Sequence, residues 1–84
     1  MQDLNDMLYF AEVVDQGGFA AAGRSLGIPK SRLSRRVAEL EAQLGARLLQ
    51  RTTRRVALTD AGDAFYRHCA AMRESARAAQ DAVA

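Results

Sequence analysis

The sequence predicts a mainly α fold: a winged helix-turn-helix of three helices and a two-stranded wing, followed by one long helix. Three observations carry this prediction. Glycines divide the first half into segments with helical apolar spacing, residues 48–58 change to a short β-compatible pattern, and neither proline nor glycine interrupts residues 63–84. With 84 residues the chain can bury only one modest core. We divide it into a winged helix-turn-helix domain, residues 1–58, and a linker or dimerisation helix, residues 59–84.

The three expected short helices cover about residues 4–16, 19–26 and 30–44. Asp3 and Asn5 are candidate caps at the start of the first helix, and a glycine follows the end of each helix. Pro29 suits the first turn of the third helix, where its missing N–H leaves no hydrogen bond unmade. Two helices of this size joined by a three- or four-residue turn form a helix-turn-helix.

The wing is expected over about residues 48–58, where two short apolar runs flank Arg51-Thr52-Thr53-Arg54-Arg55. The turn contains neither Gly nor Asn, so its sequence does not specify a tight hairpin. Thr59 is expected to cap the last helix, about residues 59–82. Gly62, in the first turn of that helix, is interpreted as a point of close packing against a neighbour.

The charge of the chain is concentrated in its centre. The net charge is only +2, but residues 30–55 hold eight basic and two acidic side chains, a local charge of +6. The remaining residues together carry −4. Such a basic region is typical of a surface that binds a polyanion, and a solvated charged face is the alternative interpretation.

The third helix has the composition of a helix that reads DNA. Its core stripe contains Leu33, Val37, Leu40 and Leu44, and the opposite face carries small, hydroxyl and guanidinium side chains. The major groove admits one helix, and Arg is suited to bidentate contact with guanine. The residues expected to read bases are Lys30, Ser31, Ser34 and Arg35.

A second set of residues is expected to contact the DNA backbone, with the wing reaching phosphates or the minor groove. The set contains Arg32, Arg36, Arg51, Thr52, Thr53, Arg54 and Arg55. Arg36 lies near the edge of the core stripe, so pairing within the chain, with Glu12, Asp15 or Glu39, is an equal alternative. Glu39 and Glu41 would repel the DNA backbone if they faced it.

The last helix carries an apolar stripe with alternating spacings of four and three, the 3.5 average of a two-helix seam. The stripe contains Phe65, Cys69, Met72, Ala76, Ala79 and Val83. We expect its later turns to meet a second copy of the chain. In the first turns, Phe65 and Tyr66 could instead pack on the first helix.

The composition argues against an enzyme. One His and one Cys, adjacent in sequence, form no metal-ligand cluster and no nucleophile–base pair, so we expect no catalytic residue, metal or cofactor. We also expect no internal disulfide, no signal peptide and no membrane span, which fits a cytoplasmic protein. A module that uses the helix-turn-helix to bind protein is the main rival to a DNA-binding domain.

Several blocks of residues match a known family. They are Phe10-x-x-Val13, Gly17-x-Phe19, Ala22-x-x-x-Leu26, Leu33-Ser34-Arg35-Arg36-Val37-x-x-Leu40-Glu41, Leu44-Gly45-x-x-Leu48 and Arg51-Thr52-Thr53-Arg54-Arg55-Val56-x-Leu58-Thr59-x-Ala61-Gly62. On these residues, which span the chain, the sequence resembles the N-terminal DNA-binding domain of LysR-type transcriptional regulators.

The resemblance implies a bacterial regulator whose third helix enters the major groove of double-stranded DNA. It also implies a homodimer through antiparallel linker helices, often a tetramer at full length, and an effector-binding domain beyond this chain through which a small molecule would act. Five positions depart from the family: Gly18 replaces a capping Ser, Gly23 the second Ala of a pair, Pro29-Lys30 a Ser-Gln pair, and Leu49 a Phe. We expect Gly23 to loosen the second helix.

Overall fold

The computed structural model describes residues 3–51 and 55–84, and over these residues it contains four helices and one two-stranded antiparallel sheet. The elements are α1 (Leu4–Gln16), α2 (Phe19–Leu26), α3 (Lys30–Leu44), β1 (Leu49–Arg51), β2 (Val56–Leu58) and α4 (Asp60–Val83). The predicted winged helix-turn-helix with a long final helix is confirmed. Thr52, Thr53 and Arg54, expected to contact the DNA backbone, lie outside the described residues.

Local sequence sets the helix ends. The glycines that follow α1, α2 and α3 have φ values of 79°, 70° and 68°, in the left-handed region that closes helices. Asp3 caps α1 by accepting a hydrogen bond from the backbone N–H of Asn5, so Asn5 is a helical residue and not the cap. Pro29 occupies the N-cap position of α3, and Gly18 precedes α2 without a side-chain cap.

The core lies where α1 packs against the other three helices. Its buried apolar residues are Phe10, Ala11, Val13, Phe19, Ala22, Leu33, Val37, Leu40, Leu48, Leu49 and Cys69. The ring centroids of Phe10 and Phe65 lie 5.6 Å apart with an interplanar angle of 56°, a tilted geometry that aromatic pairs prefer. Removal of these side chains from water is the main force that holds α4 to the rest of the domain.

The base of the wing is fixed against the start of α4. In the sheet, Leu49 pairs with Leu58 and Arg51 with Val56. The Thr59 hydroxyl accepts from the backbone N–H of Gly62 and donates to the carbonyl oxygen of Arg47. A Cβ atom on Gly62 would lie only 2.0 Å from the carbonyl oxygen of Leu48, so the close packing predicted for this glycine is confirmed.

Gly23, inside α2, also lies where two backbone segments come close together. A Cβ atom on Gly23 would lie 2.7 Å from the carbonyl oxygen of Ile28, and the backbone N–H of Ile28 donates to Gly23 at 3.0 Å. The expectation that Gly23 only loosens α2 therefore leaves out its packing role. In this backbone, glycine lets the turn after α2 fold tightly against the helix.

The apolar stripe of α4 serves two purposes along its length. Cys69 is fully buried within the chain, so its assignment to a seam between two copies was wrong. Phe65 is half-buried against Phe10, as the alternative for the first turns predicted. Met72 is half-buried, whereas Ala76 and the residues after it are exposed. Only the second half of the stripe is open to a partner.

Candidate nucleic-acid interface

The outward face of α3 presents the residues that were expected to read bases. Lys30, Ser31 and Arg35 are exposed and Ser34 is half-buried, while Leu33 beside them is fully buried. Of the predicted core stripe, Leu33, Val37 and Leu40 are buried, whereas Leu44, at the end of the helix, is exposed. The burial of these three side chains turns the opposite face of the first two turns of α3 toward solvent. Arg32, expected at the DNA backbone, is exposed on the flank of the same face.

A groove runs beside this face, between the start of α2 and the wing, with a volume of about 480 Å³. Its described lining includes Arg24, Lys30, Arg51 and Arg55 and contains no acidic side chain. The first turn of α2 also lines it, and this turn has no side-chain cap on its backbone N–H groups. A positive helix end surrounded by cations is suited to an anion such as a DNA phosphate.

Arg24 is a member of this groove that the sequence reasoning missed. It was counted with the body of the chain because it lies outside the basic block at residues 30–55. It is exposed on α2, one turn after Ala20, which also lines the groove. The helical spacing of four between these positions is the signal that places Arg24 on the groove side.

Arg51 is held in a defined position on the groove wall. Its guanidinium lies 4.9 Å from the centroid of the Phe19 ring and 3.6 Å from a carboxylate oxygen of Glu41. The side chain keeps 36% of its surface exposed. Stacking on an aromatic ring and pairing with a carboxylate both orient a guanidinium plane, so Arg51 presents a fixed charge to the groove.

Glu41 anchors the wing, a role that the sequence reasoning did not foresee. One of its carboxylate oxygens accepts hydrogen bonds from the backbone N–H groups of Leu48 and Leu49, at 2.8 and 3.2 Å. The side chain is only 15% exposed. Glu41 therefore faces the base of the wing and not the DNA-facing side of α3. The sequence does not reveal this contact, because no local pattern links a residue of α3 to backbone groups seven and eight positions later, beyond the end of the helix.

Arg36 belongs to the interior side of the domain. Its guanidinium lies 2.7 Å from the carboxylate of Asp6 and 3.0 Å from that of Asp3, and 5.7 Å from the ring centroid of Tyr9. The hydrogen bond and charge of Asp6 raise the pKa of Arg36 above its ordinary value, and Asp3 adds to the effect. Pairing within the chain was the expected alternative, but the partners named for it, Glu12, Asp15 and Glu39, were wrong. We therefore remove Arg36 from the set expected to contact phosphates.

Membrane-spanning helices and metal-binding clusters are considered for the part of the chain that the structure describes. None of its helices combines the length and apolar character needed to cross a membrane. No group of three or more His, Cys, Asp or Glu side chains in residues 3–51 and 55–84 is arranged to hold a metal ion.

Comparison with known proteins agrees with this geometry. Residues 4–63 match the model of the family described as "Bacterial regulatory helix-turn-helix protein, lysR family". The chain is 54% identical over 81 residues to an HTH-type transcriptional regulator of Xanthomonas campestris pv. campestris, an alignment that covers 96% of this chain and 24% of that protein. The chain thus spans about a quarter of the length of this relative.

Two solved structures of DNA-binding domains are similar to it throughout. The BenM domain in complex with catB site 1 DNA superimposes with a TM-score of 0.91 at 30% identity, covering 98% of this chain and 91% of that one. The CbnR domain in complex with DNA gives a TM-score of 0.87 at 33% identity, covering 98% and 94%.

The fold and its basic face define the chain as a regulatory helix-turn-helix module. By its match over residues 4–63, the chain belongs to the LysR family of bacterial regulatory proteins. Its match to this family and its likeness to domains solved in complex with DNA support sequence-specific DNA binding in transcription regulation. The predicted family resemblance is confirmed.

Proposed function

We propose that α3 enters the major groove of double-stranded DNA and reads bases through Lys30, Ser31, Ser34 and Arg35. One observation carries this proposal: the exposed first turns of α3 and the cationic groove lie side by side and share Lys30 and Ser34. When the first turns of α3 enter the major groove of the DNA, the adjacent phosphate backbone lies at the cationic groove of the protein. Base contacts and backbone contacts therefore belong to one continuous surface.

The backbone contacts come from both sides of the groove. Arg24 and the start of α2 form one side, and Arg51 and Arg55 form the other. Arg51 retains donors for a phosphate because a guanidinium has five N–H groups and, among the described residues, this one pairs with the carboxylate of Glu41. Arg32 contacts phosphate from the flank of α3. The backbone contacts predicted from the sequence for Thr52, Thr53 and Arg54 remain part of the proposal, and these three residues lie outside the described residues.

A second copy of the chain pairs with the exposed half of the α4 stripe. Met72, Ala76, Ala79 and Val83 follow spacings of four, three and four, and Val83 is 88% exposed. Two copies related by a two-fold axis address half-sites about one helical turn, roughly 34 Å, apart on one DNA face. Residues 59–84 thus form a dimerisation helix beside a DNA-binding domain of residues 1–58.

The rest of the regulatory system lies beyond this chain. Because the chain spans 24% of the similar Xanthomonas regulator, we extend the proposal to a full-length protein in which an effector-binding domain follows α4. That protein is cytoplasmic, forms a dimer or tetramer, and responds to a small molecule through the added domain. The 84-residue chain itself needs no cofactor and performs no catalysis.

The proposal is tested by selecting binding sites from a random duplex pool with the wild-type chain and with Arg35→Ala. We expect Arg35→Ala to lower affinity for the selected site by about 10- to 100-fold and to relax preference at one base pair. Gln43→Ala, an exposed change at the other end of α3, is the matched control and leaves the profile unchanged.

Salt dependence supplies a second readout of the same interface. Counterion release predicts that the affinity of the wild-type chain falls steeply as the salt concentration rises. An Arg35→Ala variant with the wild-type binding profile would exclude a reading role for Arg35. A flat salt response, or failure to select any duplex, would contradict the proposed interface and favour a protein-binding module.

A further inference from the structure

In the part of the chain that the structure describes, the long helix α4 is attached to the domain along its first fourteen residues, from Asp60 to Arg73. Phe65 packs on Phe10, Cys69 is buried in the core, and Arg73 forms an ion pair with Asp15 of α1. Residues 74–83, which we call the distal segment, are all exposed. Within the described residues, the side-chain ion pair of the distal segment joins Glu74 to Arg77, inside α4 itself. Arg73 is therefore the last tether between α4 and the body.

Asp15 holds this tether with both of its carboxylate oxygens. One accepts a hydrogen bond from the Tyr66 hydroxyl, and the other lies 2.7 Å from the Arg73 guanidinium. Tyr66 and Arg73 are seven positions apart, two turns of the same helix face. A single carboxylate that bridges two turns restrains both the rotation and the tilt of α4. A hydrogen bond at one turn would leave the tilt free.

Asp15 lies at a place in α1 where a carboxylate needs stabilising partners. It lies in the last turn of α1, where the negative end of the helix dipole disfavours a carboxylate. Partial burial by itself raises the pKa of Asp15, but the hydrogen bonds from Tyr66 and Arg73 and the charge of Arg73 outweigh it, and the pKa lies below 3.8. The ionised form is thus stabilised by α4.

The distal segment converts a small change of angle into a large displacement. At a rise of 1.5 Å per residue, its ten residues extend about 15 Å beyond the tether. On an arm of that length, a tilt of about 10° moves the tip by roughly 3 Å, close to the axial rise of one base pair. In a pair of copies joined through this segment, both tilts contribute.

We propose that Asp15, with Tyr66 and Arg73, fixes the angle of α4 and thereby selects the spacing of the two half-sites that a dimer binds. The inference rests on the proposed function, namely reading by α3 and pairing through α4. The three side chains are positioning residues: they lie on the α1–α4 contact and are absent from the described groove lining.

The angle is measured first, without DNA. Spin labels at Gln43→Cys and Gln80→Cys, both exposed positions, report the distance between α3 and the distal segment. Labelled chain is diluted with excess unlabelled chain so that distances between copies do not contribute. We expect a narrow distribution in the wild-type background and in Arg77→Met, and a broadened one in Asp15→Asn and Arg73→Met. Arg77 is the matched control because it pairs with Glu74, within α4.

Spacing is measured next, on duplexes that carry two selected half-sites at varied separation. We expect the wild-type chain and Arg77→Met to prefer one separation by about tenfold over separations one base pair longer or shorter, a typical coupling between two sites. In Asp15→Asn and Arg73→Met this preference falls below about threefold, while affinity for a single half-site stays within about twofold of wild type. The charge-swapped chain, Asp15→Arg with Arg73→Asp, restores the preference.

The outcomes separate the tether from the proposed function. Unchanged label distances, or broadened distances with an unchanged spacing preference, overturn the spacing role of Asp15. A wild-type chain that binds single half-sites but favours no separation also overturns it, and leaves the reading surface on α3 intact. Failure of the wild-type chain to bind any duplex overturns the proposed function itself. If Asp15→Asn or Arg73→Met has also lost affinity for a single half-site, Tyr66→Phe takes its place. This variant removes only one hydroxyl, and the label distance and the spacing preference are measured on it in the same way.

Discussion

At the scale of single residues, burial decides which side chains are available for chemistry. Cys69 has no exposed surface, and its burial raises the pKa of the thiol to about 11, although the nearby charge of Arg73 opposes the rise. The thiolate is the form that reacts with disulfide reagents. Cys69 therefore behaves as a small apolar side chain of the core.

We expect the Cys69 thiol of the folded chain to react with a chromogenic disulfide reagent at least about 100-fold more slowly than an exposed thiol at about pH 8. Unfolding in urea exposes the thiol and removes the difference. The control is Ala71→Cys in a Cys69→Ala background, since Ala71 is exposed on the same helix and lies outside the stripe proposed to meet a second copy. Equal rates for the two folded proteins would contradict the burial of Cys69.

The misplacement of Cys69 shows what a side-chain pattern leaves open. The alternating spacing from Phe65 to Val83 predicts an apolar stripe, and the stripe exists. The pattern does not say which surface covers each turn, because a neighbouring helix of the same chain and a helix of a partner bury the same side chains. Only the packing of α1 on α4 separates Cys69, inside the core, from Ala76, on the surface.

At the scale of elements, local signals were sufficient for the helices and insufficient for the wing. Helix ends depend on residues within one turn, such as Gly45 and the capping Thr59, so the four helices could be located to within about one residue. The wing depends on Glu41, which lies on another element. For the candidate site, periodicity predicted the exposed face of α3. It could not predict the groove, because Arg24 and Arg51 reach it from different elements.

The anchoring of the wing can be tested at Glu41. Glu41→Ala removes the acceptor from the backbone N–H groups of the buried Leu48 and Leu49, so we expect the free energy of unfolding to fall by about 1–3 kcal/mol. Glu41→Gln keeps an amide oxygen as acceptor and is expected to lose roughly half as much. Unfolding in urea, followed by circular dichroism, measures both.

Glu39 supplies the matched control for this prediction. It is exposed on α3 two positions before Glu41, and Glu39→Ala is expected to change the free energy of unfolding by less than about 0.5 kcal/mol. If Glu41→Ala and Glu39→Ala are equally mild, the carboxylate of Glu41 does not hold the wing.

At the scale of the whole molecule, the two signs of charge have separate functions. The basic residues Arg24, Lys30, Arg51 and Arg55 line the groove, whereas the acidic residues of α1 and its N-cap hold the domain together. Asp3 and Asp6 bind Arg36 of α3, Glu12 accepts a hydrogen bond from Ser25 of α2, and Asp15 binds Arg73 of α4. These carboxylates join α1 to the other three helices, and the ionisation of Asp15 makes the stability of the fold depend on pH.

The pairing of Asp15 makes the free energy of unfolding depend on pH in two ranges, an acidic one through Asp15 and an alkaline one through Tyr66. In the folded chain the pKa of Asp15 lies below 3.8, so its contribution is complete well above pH 3.8 and is lost as the pH falls through the folded pKa. The pKa of Tyr66 is raised above 10.0, chiefly by its hydrogen bond to Asp15 and also by burial. Its contribution is therefore complete below pH 10.0 and is lost as the pH rises through the folded pKa.

We therefore expect Asp15→Asn to be less stable than the wild-type chain by roughly 1 kcal/mol at about pH 7, a value reduced from that of a buried charged pair because both partners are one-third exposed. Urea unfolding over a series of pH values will show this difference shrinking toward zero in acid, where the wild-type carboxyl is also protonated. Tyr66→Phe will instead approach the wild-type chain on the alkaline side, where the wild-type phenol ionises on unfolding. Asp81→Asn, an exposed change on the distal segment of α4, should follow the wild-type curve throughout. A stability difference for Asp15→Asn that stays constant from neutral to acid pH would mean that the charge of Asp15 does not join α1 to α4.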